Sequence, residues 1–238
     1  MSGIAVRDLC KSFGEKRVFS GLDFDMPERR ITVLLGPSGC GKTTILNILS
    51  GTIPLDSGTV TGTEGKRISY LFQEPRLLPW KTVRGNIEFV LGDTLPEEEK
   101  RARITRFLSL VGLAGSEKLY PRQLSGGMRQ RTAIARAFSF PSEIILMDEP
   151  FQALDLNLKV SLLKAFVPLW EEESRTALFV THDIQEALLL GHRIILLSAL
   201  PAVIRSSIEC PMPLHERNLA DPALQKIERT LYELIMSR

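Results

Sequence analysis

Five short runs of apolar residues punctuate the chain: Ile31–Leu35, Ile68–Phe72, Ile144–Met147, Ala177–Val180 and Ile194–Leu197. Most are continuously apolar rather than alternating, the pattern of strands covered on both faces in a parallel sheet. Short runs alone also fit buried helix segments. Helix-start residues follow two of them, however: Lys42–Thr44 after the first, and Asp183 after Val180 and Thr181. Strand-then-helix alternation predicts an α/β core that binds its ligands at the carboxyl ends of the strands.

The flanking patterns differ. Ile4, Val6 and Leu9 alternate loosely with polar residues, and GEKR marks a turn before a second short strand. Residues 57–66 (SGTVTGTEGK) are rich in Gly and Thr, as in an antiparallel β segment beside the core. Residues 85–140 read as mainly helical: PEEEKRARITRFLSLVGL opens on acidic residues, then places Ile104, Phe107, Leu108 and Val111 at helical spacing. The expected organisation is one domain over 1–238. Residues 1–84 and 141–238 form its core with an antiparallel β subdomain, and 85–140 form an inserted helical subdomain. No internal repeat stands out, and the tail after Pro201 is too short for another large domain.

Composition narrows the classes. The 238 residues are 44% hydrophobic, enough for a sizeable core, and 30 basic against 28 acidic residues leave a net charge of +2. That balance gives no reason to expect a nucleic-acid surface. Cys10, Cys40 and Cys210 lie far apart without metal-ligand spacing, which argues against a disulfide framework or zinc site. The N-terminus lacks the charged-then-apolar form of a secretory signal. The most apolar region, 187–204, is interrupted by Gly191, His192, Arg193 and Pro201, so no run is long enough to span a bilayer. A soluble cytoplasmic domain is expected.

Candidate chemistry begins after the first apolar run. Gly36, Pro37, Ser38, Gly39, Cys40, Gly41, Lys42 and Thr43 fit GxxxxGK[ST], with Thr44 following, between a candidate strand and a candidate helix. The glycines let the backbone curl around phosphates, its N–H groups point inward, and the helix start adds positive potential. Lys42 reaches the β- and γ-phosphates, and the Thr43 hydroxyl suits magnesium. At the end of ILMDEP, Asp148 can hold the metal directly or through water, while Glu149 can orient or deprotonate the attacking water. Gln73 and His182 each follow an apolar run. Gln73 could give magnesium an oxygen, and His182 could hydrogen-bond the γ-phosphate. Further on, Ser125 is a candidate N-cap for a helix with Ala133, Ile134 and Ala137 on its apolar face. Gly126 and Gly127 are poor helix formers, and with Ser125 they fit a second anion site of exposed N–H groups.

In this order, GPSGCGKT, FQE, LSGGM, ILMDEP, QALD and THD resemble the ATP-binding cassette family over nearly the whole chain. The resemblance implies a nucleotide-binding domain on a phosphate-loop NTPase core with a mainly parallel sheet. It also implies ATP and magnesium as cofactors. Two chains would pair head to tail, so that Ser125 and Gly127 act on the partner's ATP and Asp155 couples the two sites. Phe13, in KSFG, falls where the family stacks an aromatic on adenine. Glu149 would be the catalytic carboxylate, with His182 holding the γ-phosphate. ATP would close the dimer and hydrolysis would reopen it. Four positions depart from the pattern: Arg29-Arg30 for the usual Gly-Glu, Phe13 for the commoner Tyr, Met128 for Gln, and Gln152 for a small residue.

EPRLLPWKTVRGNIEF (74–89) is similar to the segment of importer cassettes that receives a coupling helix from the membrane subunit. LLPW, with the following TV and Asn and with LSGGMRQR, resembles the nitrate, sulfonate and taurine importer group; pyrimidine-precursor importers share much of it. This implies permease subunits contacted near Gln73–Phe89, a substrate-binding protein acting indirectly, no nucleic acid, and a place on the inner face of the membrane. Packing within the subdomain also accounts for Leu77, Leu78 and Trp80. With the chain ending soon after residue 230, the large C-terminal regulatory domain of sugar-importer cassettes is not expected. Two rival classes are a soluble cassette acting on ribosomes or DNA, which generally has two cassettes or a long coiled-coil insertion, and a phosphotransferase, which has no use for LSGG.

Overall fold

The computed structural model describes residues 3–93, 95–152, 154 and 156–237. The alternating start of the chain forms β1 (Ile4–Phe13), which turns into β2 (Lys16–Met26). β2 runs for 11 residues rather than the short strand predicted, because Val18, Leu22, Phe24 and Met26 keep turning inward along its length. Then follow β3 (Ile31–Leu35), α1 (Lys42–Leu49), β4 (Ser57–Thr61), β5 (Ile68–Leu71), α2 (Val83–Leu91), α3 (Glu97–Leu110) and α4 (Gly126–Ser139). The remaining elements are β6 (Ile144–Asp148), α5 (Leu156–Glu173), β7 (Thr176–Thr181), α6 (Ile184–Leu190), β8 (Arg193–Leu197), β9 (Ile204–Glu209) and α7 (Pro222–Met236). All five apolar runs are strands. The second stops at Leu71, and the third extends to Asp148.

β1 pairs antiparallel with β2 and β4 in a three-stranded sheet, and the other six strands are ordered β5-β6-β7-β3-β8-β9. That larger sheet is parallel except at its edge, where β9 runs against β8. Every residue of β3, β6 and β7 is buried, which explains their uninterrupted apolar sequences. Alternate side chains serve two cores. Ile31, Val33 and Leu35 pack in one cluster with Ile87, Phe107 and Ile134 of the helices, whereas Leu34 packs in the other with Val6, Phe24 and Leu46. Each such fully buried side chain contributes roughly 1.5–3 kcal/mol relative to exposure.

The helical stretch predicted from 85 starts at Val83, where the Thr82 hydroxyl accepts a hydrogen bond from Gly85 N at 3.1 Å. α3 carries Glu97, Glu98 and Glu99 in its first turn, favourable at the positive end of a helix, and buries Ile104, Phe107 and Leu108. α4 starts at the predicted cap, Ser125, and buries Ala133, Ile134 and Ala137. Its far end is held by arginines: Arg103 Nε donates to Ser139 O at 2.6 Å and Arg175 Nη2 to Phe138 O at 2.9 Å. Glu173 ion-pairs with both guanidiniums. The last carbonyls of α4 thus gain donors they lack within the helix.

Candidate nucleotide site

β3 lies between β7 and β8 in the sheet, and the loop from Gly36 to Gly41 leaves its carboxyl end. Gly41 takes φ +102, and a Cβ there would stand 2.6 Å from side-chain atoms of both Val18 and Phe19, so only glycine fits. Lys42 is turned into the loop, its Nζ donating to Gly36 O at 2.8 Å and Pro37 O at 2.9 Å. Cys40 is buried beneath, and burial pushes its thiol pKa up, the condition of an unreactive packing cysteine.

Ser38, Gly39, Gly41, Lys42, Thr43 and Thr44 line a cleft of about 340 Å³. Its other walls are Phe13, Lys16, Val18 and Leu200, together with Gln73, Glu149 and Gln152. Phe13 is 52% exposed there, with the Lys11 ammonium 5.3 Å from its ring centroid. Gly36, Pro37 and His182 instead border a neighbouring cavity of about 530 Å³. Ser125, Gly126 and Gly127 line neither space. Ser125 Oγ accepts from Met128 N at 3.2 Å, and a Cβ on Gly127 would meet nothing within 4 Å. Asp155 lies outside the described residues.

Thr43 Oγ1 donates to Asp148 Oδ2 at 2.8 Å. Burial pushes the Asp148 carboxyl pKa up and the nearby Glu149 adds to this, while the Thr43 hydrogen bond and Lys42 oppose it. A cation would offset that buried charge. Thr43, Asp148 and Gln73 present oxygen donors of the kind magnesium selects, and the glycine-lined loop leaves room for phosphates, so the residues present fit MgATP.

Glu149 sits just past β6 at φ +45, an unusual conformation for a side-chain-bearing residue, and its N–H still donates to Val180 O at 3.0 Å. Its Oε2 lies 3.0 Å from His182 Nδ1. Gln73 Nε2 donates to Gln152 Oε1 at 2.8 Å.

The contacts of several supporting residues could not be read from the sequence. Lys159 of α5 places Nζ 2.5 Å from both Asp183 Oδ2 and Glu186 Oε1, next to His182. Burial opposes its charge, yet the two carboxylates hold Lys159 above its usual pKa. Asn86 is fully buried, with Oδ1 accepting from Leu78 N at 2.8 Å and Nδ2 donating to Lys81 O at 3.1 Å and Thr82 O at 2.9 Å. It thereby shapes the loop that presents Trp80, which is 68% exposed; Leu77 turns inward against the core. The departures are accommodated too. Met128 packs against the core, and Arg29 keeps the turn before β3 at φ +55, its N–H donating to Thr176 Oγ1 at 3.0 Å.

A parallel sheet whose central strand feeds a glycine-rich loop and helix, beside a strand ending in an acidic pair, defines a phosphate-loop nucleoside triphosphatase. Residues 19–152 match the family model described as ABC transporter. The chain belongs to this family and is an ATP-binding, ATP-hydrolysing subunit. It is 35% identical to the aliphatic sulfonates import ATP-binding protein SsuB of Bacillus cereus, over 97% of this chain and 94% of that protein. A putative ATP-binding protein of Brucella abortus biovar 1 is 38% identical over 88% of this chain and 84% of its own length. Among solved structures, the dimeric structure of MJ0796, a bacterial ABC transporter cassette, superposes with a TM-score of 0.78 at 29% identity, covering 87% of this chain and 98% of that one. A post-hydrolysis dimer of the same cassette bound to ADP and Pi gives 0.77 at 29% identity, with the same coverage. Among the described residues no helix is long and apolar enough to cross a membrane.

Proposed function

We propose that this chain powers a membrane importer of a small solute, of the nitrate, sulfonate or taurine kind or a pyrimidine precursor. It would sit on the inner face of the membrane through a permease, with a substrate-binding protein acting on the far side. The observation that carries this reading is near-full-length similarity to an aliphatic sulfonates import protein, 35% identical over 97% of the chain. The exposed Trp80 and Phe89, on the segment 74–89, supply an apolar contact surface for the permease.

The working unit would be a head-to-tail pair of single-domain chains, each with its helical subdomain over 85–140. Within one chain Ser125, Gly126 and Gly127 stay away from the phosphate-loop cleft, and Gly127 faces open space, so nothing in its own chain requires glycine there. In a pair, these residues would approach the partner's ATP, Asp155 would link the two sites, and ATP would close the dimer. Phe13 stacks on adenine. Residues 36–44 wrap the phosphates, with the Lys42 ammonium against their charge. Thr43, Asp148 and Gln73 hold magnesium, which supplies further charge neutralisation when bound. Glu149 takes a proton from, or orients, the attacking water, and His182 hydrogen-bonds the γ-phosphate.

The test is to recover the tagged chain from native membranes and identify what accompanies it. A polytopic membrane protein, lost on Trp80→Asp, is expected. Recovery with ribosomes or DNA and no membrane protein would overturn the reading.

A further inference from the structure

Gln152 stands where the sequence departs from a small residue, and in the structure its side chain reaches Gln73. β5 and β6 are neighbouring parallel strands, with Leu71 opposite Met147, so the chain segments leaving their carboxyl ends run side by side. There Gln73 Nε2 donates to Gln152 Oε1 at 2.8 Å, and both side chains line the cleft that holds Thr43 and Glu149. The backbone of Gln152 is itself fixed, its N–H donating to Glu149 O at 3.2 Å in a tight turn.

A glutamine carboxamide turns freely about its last torsion, which is broad and roughly two-fold, and so presents either its oxygen or its nitrogen to a neighbour. Only the oxygen can ligate magnesium, since the NH₂ group has no lone pair to give. An acceptor that engages the nitrogen therefore selects which edge of the amide remains available. A small side chain at position 152 carries no acceptor that spans this distance.

We propose that Gln152 is a positioning residue that holds the Gln73 carboxamide with its oxygen free for magnesium. The inference rests on the reading of Gln73 as a magnesium ligand. It ties the turn after Glu149 to the loop that leads toward Trp80, so metal binding at the cleft and the conformation of that loop share one hydrogen bond.

The full chain is titrated with magnesium at a fixed concentration of a fluorescent ATP analogue, and binding of the same analogue is measured in EDTA. Gln152→Met, similar in length but without the acceptor, should raise the magnesium concentration at half-saturation about two- to tenfold, the range of one neutral hydrogen bond. Binding in EDTA should change by a clearly smaller factor than the magnesium midpoint. In a chain already carrying Gln73→Ala, the Gln152→Met change should add nothing. An unchanged midpoint for Gln152→Met, an equal loss in EDTA, or an equal further shift on top of Gln73→Ala would each overturn the proposal. If Gln73→Ala alone leaves the midpoint unmoved, the metal-ligand reading fails and the inference with it. If Gln73→Ala moves it and Gln152→Met does not, only the positioning role fails.

Discussion

Glu149 and His182 are hydrogen-bonded to each other, Oε2 to Nδ1 at 3.0 Å, across the ends of two adjacent parallel strands. The register that sets Asp148 opposite Val180 brings the next residues of each strand into the same space. The groups proposed to handle the water and the γ-phosphate are therefore held by one contact. Replacing Glu149 by Gln keeps the shape and removes the carboxylate proposed to orient or deprotonate the water. Turnover measured by phosphate release should fall by about 10²-fold or more. ATP should still bind and trap a dimer in light scattering; only monomer with saturating ATP would count against the two-chain site.

Cross-chain completion makes a separate prediction. Lys42→Ala removes the ammonium proposed to face the phosphates and should weaken ATP binding at least about tenfold. Ser125→Ala leaves the phosphate loop intact. Each variant alone should lose most turnover, and mixing them should restore one competent site per mixed dimer. Activity no greater than either variant alone would refute the arrangement.

Lys159 is the cation of a partly buried cluster in which Thr181 Oγ1 also donates to Glu186 Oε2 at 2.6 Å. Glu186 is only 4% exposed, so Lys159→Met leaves a buried carboxylate with the Thr181 hydroxyl but without its counter-charge. A loss of about 3 kcal/mol or more is expected in urea unfolding. Adding Glu186→Gln should recover part of it, and no recovery would show that the loss came from packing.

Arg29 occupies φ +55, where a side chain is disfavoured and glycine is not. Arg29→Gly should stabilise the chain by about 1 kcal/mol, visible as a higher urea midpoint. A decrease would mean that the guanidinium makes a contribution larger than the backbone cost.

His192 links pH to stability. Burial, reinforced by Arg217 and Arg30, lowers its pKa to about 4, and its Nδ1 accepts from Ile31 N at 3.1 Å. The unfolded chain binds a proton that the folded chain refuses, so stability is complete above the ordinary histidine pKa and declines as pH falls from about 6.5 toward 4. For this partly exposed ring the decline should be about 1–2 kcal/mol after allowance for solvent screening. Comparing urea midpoints at pH 7.5 and 5 should show it. His192→Gln, which keeps an acceptor but cannot titrate, should lose that slope.

The chain's own order of residues determined the sheet and the phosphate loop. Continuous apolar runs report strands with two covered faces, and GPSGCGKT reports a backbone shape through glycines whose torsions other residues resist. Ser125 and Asp183 were legible as caps because capping acts over three residues. What escaped were contacts between residues far apart in sequence: Gln73 with Gln152, Glu149 with His182, and Lys159 with Asp183 and Glu186. None has a spacing to read, because each depends on which strands lie side by side and in what register. Strand order is chosen by the packing of two cores at once, and only the folded chain makes that choice.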